Sequence, residues 1–433
     1  MQSQYVLLRD IPSRNGDSVC IQGWVLYSRS SDKLIFIDVR DGTGIIQCVV
    51  FKGNVSSEVF ELCKKLTLES SIIVEGQVNR DTRSKVGFEI ALKKIEILHL
   101  NDDSYPISPK PHGVAFLLDH RHLWLRSSLQ VAILRIRGTI INAARDFLNK
   151  RGFLPFDPPI LTPTSCEGTS TLFETDYFGE NAYLTQSGQL YLEAEALAHG
   201  RVYFCGPIFR VEKSKTRHHL TEFWMIEPEA AFFDLSMDID LAQHFVAHIV
   251  KEVLSINGEE LELLGRDRES LEKITYPFPD ITYDEAVAIL KKNKVAFRWG
   301  DDFGGDEETI LSQTFDKPVV IHRYPAQCKA FYMKNDPDRE DVVLCCDMLA
   351  PEGYGEIIGG GQREDEYDTL LEKIIQHGLD VEPLQWYLDL RKYGSVPHAG
   401  FGLGIERAVT WMCGLKHVRE TIPFPRLIDR IKP

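Results

Sequence analysis

The chain has 433 residues, of which 43% are hydrophobic, 10% aromatic and 26% charged; these ordinary values exclude a disordered, collagenous or coiled-coil protein. That length exceeds what a single hydrophobic core spans and predicts about two or three domains. The formal charge of −15, from 64 acidic against 49 basic side chains, argues against a general nucleic-acid coat, because phosphate binding is dominated by Lys and Arg, and leaves room for a local basic groove.

The opening stretch MQSQYVLLRDIPSRNG lacks the basic and apolar regions of a signal peptide, and no run of about 18 apolar residues occurs. The nine cysteines include no CxxC pair, so neither a disulfide framework nor a zinc knuckle is expected. A cytoplasmic protein with reduced thiols and no membrane partner is predicted.

The first hundred residues read as strands. Val19 to Arg29, Lys33 to Asp41, Ile45 to Phe51, Ser70 to Val78 and Phe88 to Leu100 are β-branched or alternating runs separated by turn signals such as Asp41-Gly42. Between the third and fourth, Glu58 to Leu66 has helical spacing. Five strands with a helix after the third is the order of an OB-fold barrel; another small β-barrel is the alternative. Asn101 to His112 concentrates Asp, Ser and Pro and reads as a linker. Gln130 to Lys150 then has apolar residues at helical spacing and stops before Gly152. The rest mixes strand-like and helical runs without βαβ alternation, which predicts a mixed or antiparallel sheet carrying helices.

Common phosphate-loop, dinucleotide, hydrolase and zinc-protease signatures are absent from the chain. Gly359-Gly360-Gly361 is a weak candidate for a phosphate cradle. Three segments carry more. Phe209 to Glu229 (FRVEKSKTRHHLTEFWMIEPE) places a cationic loop before a strand on which Glu227 and Glu229 share one face. A solvated hairpin is the plain alternative, but carboxylates beside cations suit a ligand bearing both an ammonium and phosphates. Cys345 to Arg363 sets Asp347 and Glu356 around a Pro/Gly turn, and carboxylate oxygens of this kind favour Mg²⁺ shared with phosphates. Gly400 to Met412 is a glycine-rich strand feeding a helix with Arg407 in its first turn, placed to meet a phosphate.

Together these segments resemble the class II aminoacyl-tRNA synthetases, in the subgroup for aspartate, asparagine and lysine. Gln130 to Pro159 is similar to the family's first motif, at the dimer interface; Arg210, Glu212 and Phe223 match the second, and Gly402, Gly404, Glu406 and Arg407 the third. The resemblance implies an α+β protein: an OB-fold anticodon-binding domain over 1–102, a linker over 103–128 and a class II catalytic domain over 129–433, with an antiparallel sheet flanked by helices. It implies ATP and Mg²⁺ as cofactors and a homodimer. By the same resemblance, Arg210 binds the α-phosphate, Arg407 the γ-phosphate, and Phe223 stacks on adenine. Glu212 belongs to the ATP site. Asp347 and Glu356 hold Mg²⁺, and Glu167, Gln189 and Glu229 receive the amino acid's ammonium.

Aspartate-specific relatives carry a Lys three positions after the residue matching Gln189; here that position is Leu192. Glu227 and Arg363 would then face a side-chain amide, so the resemblance implies activation of L-asparagine to its adenylate and transfer to the 3′ end of tRNA(Asn). Asparagine and aspartate are nearly isosteric, so charge must separate them. For the anticodon the implied contacts are Phe36, Gln47 and Glu75. One departure stands out: relatives have Arg directly before the residue matching His219, where this chain has His218 preceded by Arg217. Either Arg217 substitutes at the phosphates or phosphate binding weakens as His218 loses its proton. Two other readings are a tRNA-independent asparagine-forming enzyme and a catalytically dead RNA-binding paralogue. The intact front barrel counts against the first, and Arg210, Asp347, Glu356 and Arg407 against the second.

Overall fold

Period-two alternation builds the first part of the chain. The strands β1 (Ser18–Ser30), β2 (Leu34–Arg40), β3 (Ile45–Phe51), β4 (Ser71–Arg80) and β5 (Phe88–His99) close into a barrel in the order β1-β2-β3-β5-β4. On β2, Ile35, Ile37 and Val39 are fully buried while Phe36 and Asp38 point outward, as a strand with one wet face requires. The helix Ser57–Lys64 bridges β3 and β4, starts on the Ser56 hydroxyl, which accepts from the Val59 N–H at 3.2 Å, and buries Phe60 and Cys63. This is the expected OB-fold, with each strand within two residues of its predicted bounds. The computed structural model describes residues 5–84, 86–102, 104–108, 110–166, 171–211 and 217–433.

Contacts divide the chain into units 1–116 and 117–433. The second unit contains the short strands β6 (Leu154–Pro155), β7 (Leu161–Thr162), β8 (Glu174–Tyr177) and β9 (Glu180–Leu184), then β10 (Arg201–Phe209), β11 (Glu222–Ala231), β12 (Asp280–Thr282) and β13 (Val319–His322). The hairpin β14 (Asn335–Asp336) and β15 (Arg339–Val343) precedes β16 (Cys345–Ala350), β17 (Gly355–Gln362) and β18 (His398–Gly404). Eight of them form one sheet in the order β12-β13-β16-β17-β18-β11-β10-β6. Its centre is antiparallel as predicted; the two edge pairs, β6 with β10 and β12 with β13, are parallel.

The amphipathic helices Ser128–Lys150 and Leu235–Ile256 cover one face of this sheet. Ile133, Ile136, Ile140 and Phe147 of the first, with Phe245, Val246 and Ile249 of the second, share a core with Ile226, Phe401 and Leu403 of the strands. Each such buried side chain contributes about 1.5–3 kcal/mol. A second core gathers Tyr283, Leu290, Leu311, Phe331 and Tyr387 around the helices Tyr283–Lys292 and Gly305–Gln313, while Leu261, Leu271 and Phe278, just before them in the chain, join the first.

Candidate active site and nucleic-acid interface

The face of the sheet opposite the two long helices holds a cleft, and its floor is made by glycine. Across the strands, Asp347 on β16 pairs with Gly359 on β17, which pairs with Gly402 on β18, next to Glu227 on β11. A Cβ on Gly402 would lie 2.3 Å from Met225 Cε, and one on Gly359 would lie 3.0 Å from Glu356 Oε1 and 3.4 Å from Asp347 Oδ1. Missing side chains therefore make the space. The glycine run 359–361 is a strand interior that floors the cleft, and not a loop cradling phosphate.

Two compartments meet here, sharing Arg210, Met225, Glu356 and Gly402. Phe223, His218, His219 and Arg407 line the first, and the Arg210 guanidinium carbon stands 5.6 Å from the Phe223 ring centre. Arg407 Nη1 donates to the Glu356 carboxylate at 2.9 Å and to its backbone oxygen at 3.0 Å. Arg217 Nε donates to His218 Nε2 at 2.9 Å. Burial, with Arg217 and Arg407 close by, pushes His218 down to about 4, so at neutral pH it is an uncharged acceptor that holds Arg217. Glu212 lies outside the described residues.

The second compartment is lined by Gln189, Leu192, Glu227, Glu229, Lys329, Asp347 and Arg363; Glu167 falls outside the described residues. Glu227 is 5% exposed and accepts from the Ser187 hydroxyl at 2.9 Å and the Gly188 N–H at 2.7 Å. Glu229 and Arg363 form a buried two-point pair, Nε to Oε1 at 3.0 Å and Nη2 to Oε2 at 2.8 Å, and Nη2 also reaches the Gly400 oxygen. Burial pushes the Glu229 carboxyl up and the guanidinium draws it back. The other compartment carboxylates are also braced. Lys329 Nζ donates to Asp347 at 2.6 Å, and burial, opposed by Lys329 and reinforced by Glu356, leaves Asp347 at about 6. Glu308, from the helix Gly305–Gln313, accepts from the Glu356 backbone N–H at 2.9 Å, while Asp302 stands 3.8 Å from Lys329.

Asp347 Oδ1 and Glu356 Oε1 converge on one spot above Gly359 that stays open because no Cβ occupies it. Two hard anionic oxygens beside a cation-lined cleft suit Mg²⁺, which completes its shell with water and phosphate oxygens. The cleft's cysteines are poor nucleophiles: burial pushes Cys328 up to about 11 and Cys345 up to about 12. The arrangement suits binding a polyanion and a zwitterion side by side.

Sequence reasoning missed Lys329, Glu308, Ser187 and a buried group around Glu193. None lies in a motif, and the partners of Glu193 on the 385–392 helix are nearly 200 residues away.

On the barrel, Phe36 faces outward beneath the Arg29 guanidinium at 4.5 Å, and Gln47 Nε2 donates to Asp38 at 3.2 Å on the neighbouring strand. Gln47 is set in register with Glu89 across the parallel β3–β5 pair. Glu75 is not brought to this patch. It sits on β4 opposite Cys20 and Lys94, and Lys94 Nζ lies 3.3 Å from its carboxylate. Gln47 is thus flanked by Asp38 on β2 and by Glu89 on β5, and Glu75 is not its neighbour, because pairing across the barrel, which sequence order does not reveal, sets the neighbours.

Comparisons with known proteins agree with this geometry. Residues 114–428 match the family model described as tRNA synthetases class II (D, K and N), and residues 19–98 the one described as OB-fold nucleic acid binding domain. The chain is similar to the asparagine–tRNA ligase of Sorangium cellulosum, 56% identical over 446 residues and covering all of both chains. Among solved structures, asparaginyl-tRNA synthetase from Pyrococcus horikoshii complexed with asparaginyl-adenylate superposes with a TM-score of 0.96 at 46% identity, over 99% of this chain and 100% of that one. The Entamoeba histolytica asparaginyl-tRNA synthetase in complex with asparaginyl-adenylate gives 0.89 at 29% identity over all of both chains. With Arg210 and Phe223 of the second motif and Gly402, Gly404, Glu406 and Arg407 of the third on one cleft, and a family model matched over most of its length, the chain belongs to the class II tRNA synthetases of the D, K and N group.

Proposed function

We propose that the chain is an asparagine–tRNA ligase, acting on ATP, L-asparagine and tRNA(Asn). One observation carries the choice of amino acid: the buried Glu227 carboxylate faces a cleft in which the position of the aspartate-pairing lysine is held by Leu192, itself 1% exposed. A carboxylate acceptor receives an amide NH₂ and repels a second carboxylate. Arg363 Nε and Nη2 hold Glu229, and Nη1, which donates one N–H to Met333 Sδ at 3.9 Å, has a second N–H to offer a ligand oxygen.

In the first step an oxygen of the asparagine carboxylate attacks the α-phosphorus of ATP, and pyrophosphate leaves with the bond electrons. Arg210 meets the charge that develops on the α-phosphate. Arg407, Arg217 and His219 meet the outer phosphates, and Phe223 stacks on adenine. Asp347 and Glu356 would hold Mg²⁺, which supplies charge neutralisation for the phosphates when bound. Gln189, Glu229 and Glu167 fix the ammonium, so that the carboxylate enters in line. In the second step the terminal ribose hydroxyl of tRNA attacks the activated carbonyl, and AMP leaves. Such catalysis is positional and electrostatic, with no covalent enzyme intermediate.

Phe36, Gln47 and Glu89 form the anticodon face in this reading, with stacking on Phe36 worth about 1–3 kcal/mol per base. A homodimer through the 128–150 helix and the Leu154 to Pro159 segment, and a cytoplasmic setting, complete the proposal. No helix among the described residues is long and apolar enough to cross a membrane. The deciding experiment is ATP–pyrophosphate exchange with asparagine and aspartate side by side, followed by charging of tRNA(Asn). Exchange that is faster with aspartate would overturn the assignment.

A further inference from the structure

Beneath the amino-acid compartment lies a fully buried carboxylate that none of the sequence motifs contains. Glu193 is 0% exposed and sits one turn after Gln189 on the helix Gln189–His199. Its oxygens accept from Gln189 Nε2 at 3.0 Å, from the Tyr387 hydroxyl at 2.8 Å to each oxygen, from Arg391 Nη2 at 2.6 Å and from His398 Nε2 at 3.0 Å. The atoms of Glu193, Glu229 and His398 lie within 4.8 Å of one another, a spacing that could suit a metal ion. Arg391 and Arg363 already occupy the two carboxylates at 2.6–3.0 Å, so a cation there would have to displace buried guanidinium groups. The cluster therefore reads as a scaffold.

We propose that Glu193 is a positioning residue that decides which end of the Gln189 amide faces the amino acid, a role that rests on the reading of Gln189 as part of the asparagine site. An ionised carboxylate accepts and cannot donate. Held against Glu193, Gln189 can present only its NH₂ group downward. Its oxygen is turned toward the cleft, where Gln189 is one of the lining residues. That oxygen is an acceptor for an ammonium; the reversed amide would aim N–H groups at a cation. The ionised state of Glu193 is secured despite its burial by Arg391, by the hydrogen bond from His398 and by Arg363, which together hold its carboxyl well below the usual range. The Tyr387 hydroxyl and Arg391 fix the carboxylate from the far side, so the orientation of Gln189 is set before any ligand arrives.

The test uses the full chain and two ligands, L-asparagine and succinamate, which is asparagine without its amino group, with binding measured by calorimetry. Wild-type asparagine-dependent pyrophosphate exchange is read first; its absence would fail the substrate reading and not the present one. Glu193→Gln keeps the shape and frees the amide to turn. It should raise the dissociation constant of asparagine by about 10- to 100-fold, the range of a hydrogen bond to a charged group. The constants for ATP and succinamate should stay within about twofold. In a Gln189→Met background the same change should add nothing further. Equal loss of ATP and asparagine binding, or a full Glu193→Gln effect persisting beside Gln189→Met, would overturn the proposal and leave Glu193 as a fold element. If Glu193→Gln does not fold, Tyr387→Phe substitutes: a small loss confined to asparagine supports the role, and equal losses for both ligands overturn it.

Discussion

Replacing Glu227 by glutamine tests the discrimination between asparagine and aspartate most directly. The side chain is 5% exposed, with one oxygen on the Gly188 N–H at 2.7 Å and the other on the Ser187 hydroxyl at 2.9 Å. Glutamine fits this seat: its carbonyl keeps the Gly188 N–H, and its NH₂ can donate to the Ser187 oxygen once that hydroxyl rotates. What changes is the charge. A bound aspartate would put a second carboxylate about 4 Å away, where like charges at an effective dielectric near 20 repel by about 4 kcal/mol. At about 1.4 kcal/mol per decade this is roughly a thousandfold. Asparagine loses only part of a charge-assisted hydrogen bond, toward the lower end of about 1.5–3 kcal/mol. The two effects act on the ratio in the same direction, so kcat/KM for asparagine over aspartate in pyrophosphate exchange should fall by about three to four orders of magnitude, mostly through a gain with aspartate. A ratio unchanged within about threefold would refute the reasoning, as would equal losses with both amino acids.

Gln47→Ala should lower tRNA charging by about tenfold or more and leave asparagine-dependent pyrophosphate exchange untouched; equal losses in both assays would show that the barrel face is not the anticodon reader. Arg137→Met removes the partner of Glu406, 2.7 Å away in a pair whose side chains are 9% and 3% exposed, and should cost about 3–5 kcal/mol in denaturant unfolding, because it strands a buried carboxylate. His417 accepts from the Arg419 N–H through Nδ1 and is pushed down to about 4 by burial and Arg419. Its folded value lies below the unfolded 6.5, so the unfolded chain takes up the proton first, and stability is lost as pH falls from about 6.5 toward 4. His417→Gln should flatten that part of the thermal midpoint against pH, and an unchanged slope would exclude the contribution.

The barrel was legible because each of its strands carries its own alternation, and a strand such as Ile45–Phe51 needs no distant residue to be recognised. The motif residues were legible because short spacing fixes their identity. What escaped was everything set by register or by distant pairing. Glu75 and Glu89 both lie on outward strand positions, and only the parallel pairing of β3 with β5 decides which of them stands beside Gln47. Glu193 looks like any polar residue on a helix until the 385–392 helix and β18 close over it. The charge of −15 likewise says little on its own, since several of the acidic groups lie inside the catalytic unit against arginine and lysine.

The contacts of Glu308 with the Glu356 backbone and of Asp302 with Lys329 place the segment between β12 and β13 directly behind the carboxylates assigned to the ion. Its core reaches them through Tyr283, Phe303 and Tyr324, whose rings pack within 5.5 Å of one another. A single protease cut in the turn between its two helices, near Lys294, breaks no strand of the central sheet or the barrel, and is expected to loosen this buttress, whose core also takes in Val319, Ile321 and Leu349 of the sheet. Activity lost while the compact hydrodynamic size is kept is the expected outcome for nicked protein, and it would make competence for catalysis and survival of the fold separable properties of this chain.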